Sequence, residues 1–494
     1  MLAPLVAAAL FATPDVKLSG VLHDTDRGTY RELPFDVPPG VTKITIDVAG
    51  ADHAAGTYLV LGVYDPQRER GWGGAIKPHI VIANTFATAS HLPGPLPPGR
   101  WRLSVAVAAI RPGTVARYTM TVHFDRGPAA QAITTAALKT GPGWYRGDFH
   151  THTGHSDALC RSEPSHDAVP CPVYFTLKAA HDHHLDFVTV TDHNVRSHVA
   201  ELADIAPYFD DLLVIPGREM TTQDGHFNLL GITDFVDYRL GGPGAANINA
   251  MFDGARGTGA IVSINHPEIP TGETCLGCGW SAPDTDFAKV GAIEVANGGI
   301  AADHGGAFDN GAGSGTAWWE ALLDRGYHLT GIGGSDNHDA IDGHAGTSPV
   351  GAQSPVGTPA TVVYAVDLSQ AGILAGVRSG RVFIDLEGAH PGRVLDITAA
   401  TGPHATAVMG GTLRRAAGQA IRGTIHVAGA AGNVVDLIAD GKHRPLGDPG
   451  RVVGPDARIP FTIEAGDPIH WLRADVQTPT GRRILIGNPI YVAR

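Results

Sequence analysis

Between residues 144 and 385 the chain alternates short apolar runs with helical stretches, and the runs end one after another in side chains able to ligate a metal. His150 and His152 follow the first run, Asp192 and His193 the run 186–191, and Glu219 the run 212–216. His226 sits at the run 227–232, His266 follows 260–264, Asn297 follows 292–296, and Asp336 and His338 follow 328–332. Helices are predicted over 175–184 and 317–325, with Ser369 capping one that runs to Ser379. Such alternation predicts parallel strands in a barrel or an open sheet. In a parallel barrel every strand opens on the same face at its C-terminal end, so this series of residues would converge on one pocket.

The stretch Gly147 to Asp157 is the densest part of the series, with three imidazoles and two carboxylates. In an extended strand Asp148, His150 and His152 project to one side, while Phe149 and Thr151 face the other. A lone H-x-H is weak evidence for a metal. An ordered set of His and carboxylates at successive strand ends is much stronger, because such clusters are metal or catalytic sites.

The flanks read differently. From residue 16 to 127 the text is strand and turn, with strands over 43–48, 58–64, 101–107 and 118–124 and Pro-Pro-Gly turns at Pro38 and Pro97, which predicts a β-sandwich domain. A linker is expected over 128–143 and the barrel domain over 144–390. A second β-sandwich is expected over 391–494, with strands at 395–398, 421–427, 434–438, 459–463 and 469–476 and a hairpin turn at Asp440-Gly441. Neither flank carries a catalytic cluster, so packing, substrate access or contact with glycan or wall polymer are the roles open to them. A chain of 494 residues with 64 glycines and 35 prolines suits several domains rich in short strands and turns.

A formal charge of −13 excludes a general nucleic-acid-binding surface. Residues 1–15 begin small and apolar, like the core of a secretory signal without its basic leader, and export to the periplasm or beyond is expected. That segment is too short to span a bilayer, and no other supplies the roughly 18 apolar residues a span needs. Four cysteines fit two loop disulfides, Cys160 with Cys171 and Cys275 with Cys278; the competing reading of Cys275 and Cys278 is half of a zinc knuckle. Arg161, Arg196 and Arg218 stand beside the ligand series, where they could clamp a phosphate or form exposed salt bridges.

Five ordered motifs resemble the PHP (polymerase and histidinol phosphatase) metallohydrolases, and within them the CehA/McbA-like branch. They are Asp148-x-His-x-His-Thr with Ser156-Asp157, Thr191-Asp-His-Asn194, Pro216-Gly-x-Glu219 with Gly225-His-x-Asn228, Asn265-His-Pro267, and Gly334-Ser-Asp-x-His338. The resemblance implies an α/β fold, a distorted seven-stranded (β/α) barrel holding two or three divalent ions, zinc, manganese or iron. Carried over by motif, His150, His152, Glu219 and Asp336 make a first metal site. Glu219 bridges to a second made by His226 and His266, and Asp157, His193 and His338 make the third. Asp192 or His181 would orient ligating imidazoles. The expected function is a metal-dependent phosphoesterase that attacks a small phosphomonoester or phosphodiester with a metal-bridged hydroxide. The alternatives are a carbamate or carboxylic ester hydrolase of the same fold, and a surface glycan- or wall-binding protein with an accessory barrel. Two departures from the family are Ala158, where glycine often follows Ser-Asp, and the cysteine-bearing loops 159–172 and 270–283.

Overall fold

The computed structural model describes residues 15–50, 56–73, 77–127, 133, 134, 136–271, 277–303, 308, 313–340, 353–388, 390–446, 450–466 and 468–493. All but the last residue of the expected signal segment, and the greater part of the expected linker's first half, lie outside them. The chain forms two units, Met1–Gln131 and Ala132–Arg494.

The first unit consists of two four-stranded antiparallel sheets. One runs in the order Val16–His23, Val115–Asp125, Lys43–Ala49, His79–Ala83, and the other Tyr30–Val37, Gly99–Ala109, Tyr58–Tyr64, Glu69–Gly73. Strand parity explains why they pair: Ile44 and Ile46 are fully buried, while Lys43, Thr45 and Asp47 turn the other way. Ile44, Ile46, Leu61, Val63, Trp101 and Leu103 from the two sheets meet in one apolar cluster.

In the second unit the ligand-bearing strands lie side by side. Their order is Thr330–Gly334, Ala292–Asn297, Ile261–Ile264, Gly225–Leu230, Leu213–Thr222, Phe187–Val190, Thr140–Thr151, Ala360–Asp367, Val382–Asp385. Parallel pairing holds from Thr140–Thr151 to Leu213–Thr222 and again from Ile261–Ile264 to Thr330–Gly334. The expectation of uniformly parallel strands fails at Gly225–Leu230, which is antiparallel to both neighbours. The cause is local. Gln223, Asp224 and Gly225 turn the chain straight back on itself, and Gly225 takes φ +150°, which L side chains rarely adopt. The hairpin also places Glu219 inside a strand, opposite Asn228, and not after one. A reversed strand presents its first residues to the face where its neighbours end, so His226 still reaches that face.

The path is not closed by a ladder among the described residues. The segment after its end strand Thr330–Gly334 touches the interior strand Thr140–Thr151 through one parallel bridge, Thr151 to Asn337, where Asp336 N–H donates to His150 O (2.8 Å) and His152 N–H to Asn337 O (3.0 Å). Helices Val173–Asp182, His198–Ile205, Ile248–Ala255, Thr316–Asp324 and Gln370–Ser379 accompany the strands. The last begins as its sequence predicts: Ser369 accepts from Gly372 N–H, and Gly380 at φ +71° ends it. No helix among the described residues is long and apolar enough to cross a membrane.

Beyond residue 390 the strands do not stand apart from this sheet. Arg483–Gly487 pairs with Val382–Asp385, then come Trp471–Gln477, Val434–Ala439 and Lys442–Arg444. Asp440 (φ +47°) and Gly441 (φ +67°) form the expected two-residue turn. A separate four-stranded sheet, Ala405–Val408, Val394–Gly402, Ile421–Ala428, Asp456–Ile463, packs against it, and Val362 and Phe383 share its apolar cluster with Leu395, Ile425 and Leu472. Fully buried Arg473 reaches from Trp471–Gln477 to Asp475 on its own strand and to Glu320 (2.6 Å) on the helix Thr316–Asp324.

Candidate metal centre

Among the described residues, nine side chains at or near the strand ends form four overlapping groups that could hold an ion: His150, His152 and Glu219; His150, His266 and Asp336; Glu219, His226 and His266; and His152, Asp157, His193 and His338. All nine are the residues that the motifs single out. Glu219 is the hub. Its Oε2 lies 3.5 Å from Nε2 of both His150 and His152 and 2.8 Å from His193 Nδ1, and its Oε1 lies 3.4 Å from His226 Nδ1 and 3.3 Å from His266 Nε2. Asp336 Oδ1 stands 3.2 Å from His150 Nε2 and 3.1 Å from His152 Nε2. Asp157 Oδ1 is 3.6 Å from His193 Nε2 and 3.5 Å from His338 Nε2.

Several atoms of these side chains make no hydrogen bond of good geometry. His150 Nε2, His152 Nδ1, Glu219 Oε2 and His226 Nε2 are buried without a hydrogen-bond partner. Buried polar atoms are nearly always satisfied, and leaving one bare costs about 1–3 kcal/mol. Divalent ions would satisfy imidazole nitrogens and carboxylate oxygens together, and this mixed donor set suits zinc, manganese or iron.

The charge balance agrees. Burial alone would make the His150 imidazolium unfavourable, but Asp336, Glu294 and Glu219 together raise its pKa well above the ordinary value. Burial opposes ionisation of Glu219, yet His193 and His150 hold its pKa well below the carboxylate range. Burial, reinforced by His338 and His193, pushes His152 down to about 4. The pocket therefore stabilises anionic carboxylates and keeps His152 neutral, as ligation requires, whereas His150, His193 and His266, whose pKa values the carboxylates raise against burial, would give up protons on binding an ion.

The backbone is bent to aim two of the ligands. His266 (φ +27°) and Asp336 (φ +52°) adopt left-handed conformations that cost a non-glycine residue about 1–3 kcal/mol each, and such strain gathers at functional sites. Both are tied in place: His266 N–H donates to Glu294 Oε2 (3.0 Å) and Asp336 N–H to His150 O. The ring nitrogens facing away are tied as well. His266 Nδ1–H donates to Cys278 O (2.8 Å) and His338 Nδ1–H to Asp336 O (2.8 Å), which leaves each Nε2 pointing at the cluster.

Glu294 is the residue that sequence reasoning missed. It is 2% exposed, and it accepts from His150 Nδ1 (2.9 Å), His266 N–H and Asn297 Nδ2 (2.9 Å). Its signal was present as a single acid in the apolar run Ala292-Ile-Glu-Val-Ala296, since a charge in a buried strand needs a partner. Glu294→Gln is expected to keep the fold and weaken ion affinity about 10- to 100-fold, the usual cost of removing such an orienting carboxylate. A chelator competition titration measures this, and wild-type affinity would show that His150 needs no anionic support.

The remaining expected site residues lie elsewhere. Asp148 joins none of the ion groups: it accepts from the N–H of His150 (3.0 Å), Ser335 (3.0 Å) and Gly357 (2.7 Å), while burial pushes its pKa up to about 6. Among the described residues Asp192 makes no hydrogen bond to an imidazole of the four groups. Its carboxylate accepts from Thr153 N–H, Thr153 Oγ1 and Ser156 Oγ, each at 2.7 Å, and so holds the turn that leads to Asp157. His181 lies on an exposed helix face beside Asp182 and Asp211. Arg218 is 1% exposed and turned to the opposite side of its strand from Glu219, where it donates to Val195 O (3.0 Å) and Asp234 O (2.7 Å). Arg161 is exposed and donates to His166 O (3.2 Å). Arg196 is half-buried, with no ion-pair partner among the described residues. Cys160 is bonded to Cys171; Cys278 is also in a disulfide, and its expected partner Cys275 lies outside the described residues.

No family model and no curated protein matches the chain. Among solved structures, it is similar to a two-domain protein from Bacteroides vulgatus ATCC 8482 containing a predicted PHP-like metal-dependent phosphoesterase. The two are 17% identical with a TM-score of 0.36, over 74% of this chain and 100% of that one. It is also similar to a protein from Bifidobacterium adolescentis ATCC 15703 assigned as a metal-dependent phosphoesterase, at 14% identity and a TM-score of 0.27, over 42% of this chain and 92% of that one. Likeness at this level transfers no residue role or activity, so the chemistry rests on the cluster itself.

Proposed function

We propose that this chain is a metal-dependent hydrolase of phosphoesters, either monoesters or diesters. The observation that carries the reading is the set of four adjoining groups that could hold an ion, two of which share Glu219, in which several buried side-chain atoms make no hydrogen bond. Divalent ions bound there would supply Lewis acidity and make a coordinated water acidic enough to attack at neutral pH. The chain's own contribution is placement. Glu219 divides its two oxygens between different imidazoles, and Asn265 Nδ2 donates to its Oε1 (2.9 Å), which fixes the carboxylate plane. Asn297 Nδ2 does the same for Asp336 Oδ2 (3.1 Å) and for Glu294.

Phosphoester is favoured over carbamate because a phosphoryl centre has several non-bridging oxygens to spread over adjoining groups, whereas a carbamate has one carbonyl oxygen. Arg196 is the arginine left to meet a charged substrate, since backbone carbonyls hold Arg161 and Arg218. The Cys160–Cys171 bond supports an exported protein, because disulfides persist in oxidising compartments.

The test is ion content of protein purified without a metal-affinity tag, with turnover of p-nitrophenyl phosphate, bis-p-nitrophenyl phosphate and a naphthyl carbamate before and after chelation. Phosphoester turnover that disappears with the chelator and returns with a divalent ion is the expected result. Turnover of the carbamate alone would transfer the assignment to the alternative ester class. Hydrolysis of none of the three by ion-supplemented protein would end the catalytic reading.

A further inference from the structure

The group His152, Asp157, His193 and His338 differs from the other three in how its single carboxylate is carried. Glu219 and Asp336 are buried on or beside the central strands, but Asp157 sits exposed on a loop, with 59% of its side chain accessible. Its position depends on what holds that loop. On one side the Asp192 carboxylate takes three hydrogen bonds from Thr153 and Ser156, and His198 Nδ1 lies 3.4 Å from its Oδ2. On the other side the hairpin Leu159–Arg161 with Ala168–Pro170 leads into Cys171, which is bonded to Cys160.

Cys171 grips the same loop through its backbone: Gly154 N–H donates to Cys171 O (2.6 Å), and Cys171 N–H donates to Ala158 O (2.9 Å). The approach is so close that a Cβ on Gly154 would stand 2.6 Å from Cys171 N. The loop is also joined to the segment bearing His338, because Leu159 N–H donates to His338 O (2.9 Å) and Cys160 Sγ lies 3.1 Å from Asp339 O. The bonded sulfurs pack with Ala158, Ala340 and Phe175.

We propose that the Cys160–Cys171 bond and Asp192 form a clamp that positions Asp157 against His193 and His338, so that this ion subsite depends on the clamp while the Glu219-centred subsites do not. The proposal rests on the metal-dependent reading above. Neither clamp member touches the ion-facing atoms, so both are positioning residues. His152 is shared between this subsite and a Glu219 group, while His150, Glu219, His226, His266 and Asp336 hang on strand ladders and on Glu294, Asn265 and Asn297.

The experiment uses the full chain as wild type, as the Cys160→Ser/Cys171→Ser double variant and as Asp192→Asn. Each is equilibrated with manganese alone, its bound ions are counted by elemental analysis across a range of free manganese, and its thermal unfolding is recorded. The double variant is expected to lose about one ion per chain at limiting manganese, and Asp192→Asn to weaken that same weakest site about 10- to 100-fold, with the tighter sites unchanged. Wild-type occupancy and affinity at every site in both variants would overturn the clamp while leaving the function reading intact. Loss of all ions together from a variant that still unfolds at the wild-type temperature would overturn it too, because the subsites would then be inseparable. A wild-type chain that takes up no manganese would overturn the metal reading and the clamp with it. Should the double variant unfold, Asp192→Asn alone decides by the same ion count.

Discussion

A Glu219→Gln chain is expected to lose the divalent ions of the groups that contain Glu219 and at least about 1000-fold in phosphoester turnover, because the roughly 4 kcal/mol of transition-state stabilisation that such ions supply corresponds to a factor of that size. The substitution keeps the side chain's volume but removes the negative charge on which five imidazoles converge, those of His150, His152, His193, His226 and His266. A neutral amide also offers one acceptor where the carboxylate offers two. Elemental analysis and turnover measured on the same preparation test the two halves of the expectation together. Full ion content with full turnover would remove Glu219 from the centre of the site. The fold itself is expected to survive, because the strand carrying Glu219 is held by ladders to both neighbours.

The second large effect concerns stability. Arg473→Met is expected to cost about 3–5 kcal/mol, the range for breaking one partner out of a buried ion group. Asp475, 2% exposed, would keep its charge with Arg483 Nε (3.4 Å) and Gly487 N–H (3.3 Å) beside it and no fully buried cation to balance it, and Glu320 would lose its bond across to the strand. The ring of Trp319, 5.5 Å from the Arg473 guanidinium carbon, would lose its cation. Denaturant unfolding of the full chain measures the cost. Adding Asp475→Asn should recover part of it, since the stranded charge goes with it. A single-variant cost under about 1 kcal/mol would mean that the group contributes little net stability, as replaceable buried ion pairs often do.

Much of the candidate cluster could be read from the chain because few residue types can hold an ion and those that gather here fall in order along the sequence. Strand parity was equally readable and was not used for Arg218: next to an inward Glu219, an adjacent residue must face outward. Gly225–Leu230 misled because its apolar run carries no mark of direction. Only the tight Asp224-Gly225 turn before it does. Glu294 escaped because a strand interior is read for its apolar pattern, and the atoms that make Glu294 matter, His150 Nδ1 and His266 N–H, come from distant parts of the chain. Asp192 was recognised as important, but its partners in the 153–156 turn are set by tertiary packing. The extended strand before His150 begins at Thr140, earlier than its glycines and proline suggested, because Ala360–Asp367 pairs along it back to Asp367 with Thr140.

The pairing of Val382–Asp385 with Arg483–Gly487 has a consequence for how the protein is made. These strands are adjacent in space but separated by roughly a hundred residues, and contacts of such long sequence separation form late. While the ribosome is still delivering the intervening segment, the sheet that carries the metal ligands has an open rim of unpaired N–H and C=O groups at Val382–Asp385. An open rim of that kind recruits strands from other nascent chains. Pairing with Arg483–Gly487 covers that rim, so the chain is expected to be least exposed to misassembly once the region after residue 390 has been made.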